Sequence, residues 1–391
     1  MYYSATGKLL IVDPRHEQRA FLRETTWPDV ALIASDGERA TPETPADPTM
    51  CILDHPADEL QGWLGEFRLR TGQTPEAALA APGSSGEQRC DLVIDCGDEP
   101  LLDCSVLPFG YFRATSVTAL QEALDAAKEL IGDFEKPRYF NYDAAICAHQ
   151  SFGQPGCTRC LTVCGAQAIQ SGGGHIEVNP YLCQGCGSCT LACPTGALSF
   201  VDPHRDVILQ ALSQTVDKGS RRLIVSDGMV ADGSLPEAAE HLIVQPLPAF
   251  GEELWLAALA LGCRQIILHA SDALEPLTAQ LLESKVETMH RILPALGLPA
   301  SAVALSDSQQ SLRTLLEQPV DPVRSDDLAR LDLDVRDKRT LFIDALNLIG
   351  PDAPSGAVSL PAGTRPYRDR SGSLHAVLLL RQALPDRSHR L

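Results

Sequence analysis

Cys183-Gln184-Gly185-Cys186-Gly187-Ser188-Cys189-Thr190-Leu191-Ala192-Cys193-Pro194 is the stretch that decides how the rest of the chain is read. It spaces four cysteines as C-x2-C-x2-C-x3-C-P. Three thiols on one tight loop can wrap one face of a metal centre, and the remaining corner must be filled from further away. Upstream stand Cys147, Cys157, Cys160 and Cys164, a second set of four. The two sets sit in repeated halves, C-T-R-C-L-T-V-C-G-A-Q-A-I from Cys157 and C-G-S-C-T-L-A-C-P-T-G-A-L from Cys186. Each half reads as a short helical turn after the last cysteine, a small-residue turn and an apolar strand. Ser171–Gly174 reads as the turn joining them, and His175-Ile176-Glu177-Val178 as a half-exposed strand.

The run from Cys183 is the ligand pattern of bacterial iron–sulfur proteins. Zinc sites use pairs of C-x2-C, which this spacing does not supply. Over Tyr139–Asp202 the chain resembles the bacterial eight-iron ferredoxin module. In that family the last cysteine of each run ligates the other cluster. The resemblance therefore implies two 4Fe–4S clusters, the first on Cys147, Cys157, Cys160 and Cys193, the second on Cys183, Cys186, Cys189 and Cys164. Two departures from the pattern stand out. Cys147 lies ten residues before Cys157, so Ala148–Gly156 must loop out, and Gly165 replaces the proline expected after Cys164. One reading makes Cys147 a plain thiol beside a three-iron centre. The other keeps it as a ligand, because Asn141-Tyr142-Asp143 leads into Cys147 as Asn179-Pro180-Tyr181 leads into Cys183.

A looser resemblance reaches the long 4Fe–4S binding proteins encoded beside bacterial molybdenum- or tungsten-dependent formate dehydrogenases. It is carried by Gly132–Phe140, Tyr142-Asp143, Cys147-Ala148-His149 and Gly156–Cys160, flanking residues read as having no chemistry of their own. It implies such a formate dehydrogenase as redox partner.

The chain has 391 residues, 44% of them apolar, enough for two or three domains with real cores. Thirteen cysteines suit a reducing compartment, and the N-terminal Met1–Lys8 lacks the charged-then-apolar design of an export signal, so the expected location is the cytoplasm. The longest apolar run, Leu254–Gly262, is too short to span a membrane. A net charge of −19 disfavours nucleic acid and anionic membranes and suits a basic protein surface.

The expected fold is α+β and multidomain: an α/β domain over 1–133, the ferredoxin-type module over 134–203, and a Rossmann-like α/β domain with a mostly parallel sheet over 204–364. In the first domain Leu9–Val12, Ala31–Ile33, Cys51–Leu53 and Leu92–Ile94 read as buried strands, and Asp58–Leu69 and Ser116–Ile131 as helices. Neither a G-x-G-x-x-G nor a P-loop follows any of these strands. Cys90, Cys96 and Cys104 suit no cluster, and Cys96 and Cys104 read as packing residues. In the last domain Leu223–Val225, Leu242–Val244 and Gln265–Leu268 read as strands, and Gly251–Gly262 and Pro276–Leu293 as helices. The strand–helix–strand unit is similar to that of hydrogenase and heterodisulfide-reductase delta subunits, but Gln245-Pro246 and His269 stand where those have cysteines. Only Cys263 remains, and no cluster is carried over. His269 reads as a satisfied strand-end histidine.

The tail 365–391 is rich in Arg, Leu and His and breaks with the acidic body. Read one nucleotide later, the pairs Leu374-His375, Val377-Leu378, Leu380-Arg381 and Leu384-Pro385 can each encode cysteine, which restores C-x2-C-x2-C-x3-C-P. A frameshift near Thr364–Tyr367 is one reading, and a chance pattern in a Leu/Arg-rich tail is the other. Three functions follow from the whole chain: an electron carrier or electron-transfer subunit, an enzyme with its substrate site in the flanking domains, or a redox-sensing or assembly factor with labile clusters. Without a nucleophile–base pair or nucleotide motif, the first is preferred and no catalytic residue is named.

Overall fold

A computed structural model describes residues 1–350 apart from 23, 29–30, 35–49, 54–56, 72–86, 152–153, 218–221, 229, 231–238, 271–273, 321–330 and 332–336. The tail 365–391 and the stretch Thr41–Pro48 lie outside the described residues. The chain forms two compact bodies. One comprises Met1–Arg138, Gly165–Ala168 and Asn179–Gln184; the other comprises Tyr139–Cys164, Ile169–Val178 and the chain from Gly185 on.

The described strands of the first body are β1 (Tyr2–Ala5), β2 (Leu9–Val12), β3 (Ala31–Ala34), β4 (Met50–Leu53), β5 (Ala57–Gln61), β6 (Phe67–Thr71), β7 (Glu87–Cys90), β8 (Leu92–Asp95), β9 (Tyr111–Arg113) and β10 (Gly132–Glu135). Its helices are α1 (His16–Leu22) and α2 (Val117–Glu129). A parallel sheet runs in the order β4-β3-β2-β8-β9. All four residues of β2 and all four of β8 are buried, as expected for strands covered on both faces. Ser116 caps α2 by accepting the Ala119 N–H at 3.1 Å. Leu120, Ala123, Leu124 and Ala127 give that helix one buried stripe at three- and four-residue spacing.

The helix expected over Asp58–Leu69 is not there. The segment is the antiparallel hairpin β5–β6, with β7 pairing on the far side of β6. Leu60, Leu64 and Phe67 are all buried, and their spacing of four and three mimics a helix face. Gly62 at φ +120° and Gly65 at φ +84° turn the chain back between the strands, in a region that disfavours any other residue.

The described strands of the second body are β11 (Phe140–Tyr142), β12 (Gln150–Ser151), β13 (Gln154–Pro155), β14 (Ile169–Ser171), β15 (Ile176–Val178), β16 (Leu198–Phe200), β17 (Arg222–Ser226), β18 (Ala239–Ile243), β19 (Gln265–His269) and β20 (Val303–Ser306). Its helices are α3 (Arg159–Thr162), α4 (Ser188–Ala192), α5 (Arg205–Asp217), α6 (Glu252–Ala260), α7 (Pro276–Ile292), α8 (Gln309–Glu317) and α9 (Lys338–Ile349). A second parallel sheet runs β18-β17-β19-β20. Helix α6 is buried on every side, its Leu254, Trp255 and Leu256 fully so, and α9 packs against it. His269, at the end of β19, meets Ser306 Oγ at 3.1 Å through Nδ1 and the Gln309 amide at 3.2 Å through Nε2. It is the satisfied strand-end histidine that the sequence implies.

The cysteine-bearing part is built from small antiparallel pairs, β11–β16 and β14–β15, with the turn at Ser171–Gly174 closed by Gly172 N–H to His175 C=O at 2.8 Å. One expectation shifts here. The helical turns α3 and α4 precede the last cysteine of each run instead of following it, because Cys160 and Cys189 must ride on the turn itself. Among the described residues no helix is long and apolar enough to cross a membrane.

Candidate iron–sulfur centre

Asp143 starts the first half. Its Oδ1 accepts the Ala145 N–H at 2.9 Å and caps the one-turn helix Ala144–Ile146, which ends at Cys147. Asn179 does the same work four residues before Cys183, accepting the Tyr181 N–H at 2.9 Å. The match between the halves therefore aligns Asp143 with Asn179, two places on from the alignment drawn from sequence. The excess length after Cys147 forms the short hairpin β12–β13. His149 holds its base: Nδ1 donates to the Cys157 carbonyl at 2.8 Å, which leaves Nε2 to accept from the Ser171 hydroxyl at 2.9 Å.

Within the second body, Cys147, Cys157, Cys160 and Cys193 line one cavity of about 20 Å³. Its wall includes Ile176, Pro194, Ala197 and Leu198, and no carboxylate. Four soft sulfur donors, with Arg159, His149 and Thr195 also in the wall, suit an iron–sulfur cluster and no hard cation. The thiols surround the space and do not converge on a point: among the described residues, no three metal-binding side chains are placed to hold a single ion. These four cysteines are the first ligand set implied by the ferredoxin resemblance. The second set is divided between the bodies, with Cys183 in the first and Cys164, Cys186 and Cys189 in the other. The Cys186 thiol donates to Ser188 Oγ at 3.5 Å, and that hydroxyl meets Thr278 Oγ1 at 2.6 Å.

The thiols differ electrostatically. Burial pushes Cys160 up to about 12, and the neighbouring Cys193, Cys157 and Cys147 add to the shift. Burial also raises Cys157. Cys193 is buried too, but the Leu198 N–H, the Lys338 ammonium and Thr195 outweigh that and bring it below the usual thiol value. Tyr142 is pushed up to about 12, by burial first and then by its hydrogen bond to Cys147.

The neighbours of Cys193 are placed by close packing. Gly196 has φ +77°, and a Cβ there would lie 2.8 Å from Lys338 Cβ, so only glycine lets α9 approach. Lys338 Nζ donates to the Thr190 and Leu191 carbonyls at 2.8 and 3.3 Å, closing the end of α4. It pairs with Glu253 at 3.6 Å, an ion pair too long for a hydrogen bond. In the first body, Lys136 Nζ donates to the Tyr3 hydroxyl and, at 2.6 Å, to the Tyr181 carbonyl. Burial lowers it to about 8, and Cys183 opposes the fall. Tyr142, Lys136 and Lys338 were not legible as functional. The first two lie among flanking residues read as having no chemistry, and Lys338 is 145 positions from Cys193. Cys90 and Cys96 are buried and Cys104 half-buried.

Residues 176–199 match the 4Fe-4S binding domain family, so the chain carries an iron–sulfur ferredoxin module. Two curated relatives share it. The putative electron transport protein YsaA of Escherichia coli K12 is 39% identical over 64 residues, 16% of this chain and 38% of its own length. The uncharacterized ferredoxin MJ0265 of Methanocaldococcus jannaschii is 42% identical over 68 residues, 17% of this chain and 38% of its own length. The chain thus spans under two-fifths of either relative.

Proposed function

We propose that the protein is an electron carrier, or the electron-transfer subunit of an oxidoreductase, with two 4Fe–4S clusters. Cys147, Cys157, Cys160 and Cys193 hold the first, and Cys183, Cys186, Cys189 and Cys164 the second. The observation that carries this reading is the cavity walled by the first four thiols, drawn from both halves of the repeat. The printed names of the two relatives, an electron transport protein and a ferredoxin, support it.

When bound, such clusters exchange one electron at a time. The chain supplies the surroundings. Apolar Ile176 and Leu198 keep water away, while the Leu198 N–H, Thr195 and Tyr142 offer hydrogen bonds to ligand sulfurs and favour the more negative state. No side chain forms a covalent intermediate. The division of labour is the one read from sequence, with the cluster module at 134–203 between an α/β domain at 1–133 and a Rossmann-like one at 204–364. The partner is an oxidoreductase, with a molybdenum or tungsten formate dehydrogenase as the candidate, and the setting is the cytoplasm. A charge of −19 suits docking on a basic surface.

Anaerobic purification tests the reading: about eight iron and eight acid-labile sulfide per chain are expected for two clusters. About four would remove one ligand set, and none would end the proposal. Reduction by formate dehydrogenase plus formate tests the partner, and its rate should fall as salt screens the encounter. A rate indifferent to salt would count against charge-guided docking.

A further inference from the structure

Lys136 has an unusual setting for a cation. It is 3% exposed, and its hydrogen-bond acceptors are neutral, the Tyr3 hydroxyl and the Tyr181 carbonyl. Aromatic rings complete the cage, Tyr3 with its centroid 5.0 Å from the ammonium and Phe109 at 5.8 Å. Among the described residues no carboxylate lies within ion-pair distance of it. The Tyr181 carbonyl that it holds stands two residues before Cys183, and the Cys183 sulfur acts on the ammonium as a negative neighbour.

Burying an ammonium without an anion costs several kcal/mol, about as much as a small domain can spare. An apolar residue would fill the space without that cost. The arrangement makes sense when a permanent negative charge sits at Cys183, and a cluster held by thiolates is such a charge. Resting on the two-cluster reading, we propose that Lys136 is a positioning residue for the Cys183 cluster: its positive charge stabilises the reduced form and raises that cluster's potential. The step is the transfer of one electron from the external donor to the cluster, with no proton moved and no bond made or broken.

The test uses the full-length holoprotein, wild type and with Lys136→Gln, Lys136→Met and Lys136→Arg. Iron is counted, and both potentials are measured by redox titration followed by electron paramagnetic resonance. With wild-type iron content, the neutral variants should lower one potential and leave the other in place. The expected change is at least about tenfold in the one-electron reduction equilibrium, which is 59 mV. Lys136→Arg should restore most of it. Unchanged potentials in a fully loaded neutral variant overturn the proposal, as does an equal shift of both. Loss of one cluster from both neutral variants, with Lys136→Arg still loaded, also supports a requirement for charge. Loss from Lys136→Arg as well overturns it, because shape would then be what matters. Wild-type protein without iron would instead refute the cluster reading, and the iron count separates the two failures.

Discussion

The two proposed ligand sets share one chemistry and differ in the lysine beside them. Lys338, next to Cys193, is matched by Glu253 and donates to two helix-end carbonyls. Among the described residues, Lys136, which holds the carbonyl two residues before Cys183, meets neutral oxygens and ring faces. A matched lysine contributes chiefly to holding the fold together, whereas an unmatched one contributes chiefly to the electrostatic potential at the sulfur. Sets with the same four donors should therefore hold clusters of different potential.

The largest effect expected is loss of a whole cluster. Cys193→Ser and Cys183→Ser should each remove one, leaving about four iron of about eight, with a different surviving resonance signal in each. The same survivor in both would mean that the sets are not independent. Cys147→Ala should leave the first cluster as a three-iron centre or lose it, with the second cluster unaffected. A fully loaded four-iron centre in that variant would show Cys147 to be a plain thiol.

Lys338→Met sharpens the contrast. It leaves Glu253, 4% exposed, without its cation. The loss then falls chiefly on the fold, and the potential should move less than in the neutral Lys136 variants. Stability should fall by about 3–5 kcal/mol, the usual cost of breaking a buried pair. Denaturant unfolding read beside the redox titration checks both, and a large potential shift with intact stability would invert the comparison. The smallest effect is a control outside both sets: Ser116→Ala removes the cap of α2 and should cost about 1 kcal/mol with iron content unchanged.

The proposed ligands stand out in the sequence because a metal centre would impose a spacing that survives in one dimension. The buried strands Leu9–Val12 and Leu92–Asp95, the helix opened by Ser116 and the helix opened by Pro276 were legible for the same kind of reason, a local pattern with a local cause. The hairpin at Ala57–Thr71 was not. Leu60, Leu64 and Phe67 fall at helical spacing by accident, and only the backbone angles of Gly62 and Gly65 distinguish the two outcomes. Lys136 and Lys338 were hidden for a different reason. Each meets its cysteine across many residues of chain, and a single lysine carries no mark of the company it keeps after folding.

The hairpin between Cys147 and Cys157 has a consequence for how such modules change length. Loop closure grows costlier only logarithmically, so stretching the usual two intervening residues to nine costs about 1 kcal/mol. His149 ties the base of the excursion to Cys157 and Ser171, which anchors the approach to Cys157 whatever the length of chain between. The stretch between two such cysteines is thus open to changes of length, and a peptide tag or a partner-binding segment could be spliced into it beside the candidate centre while that base keeps its place.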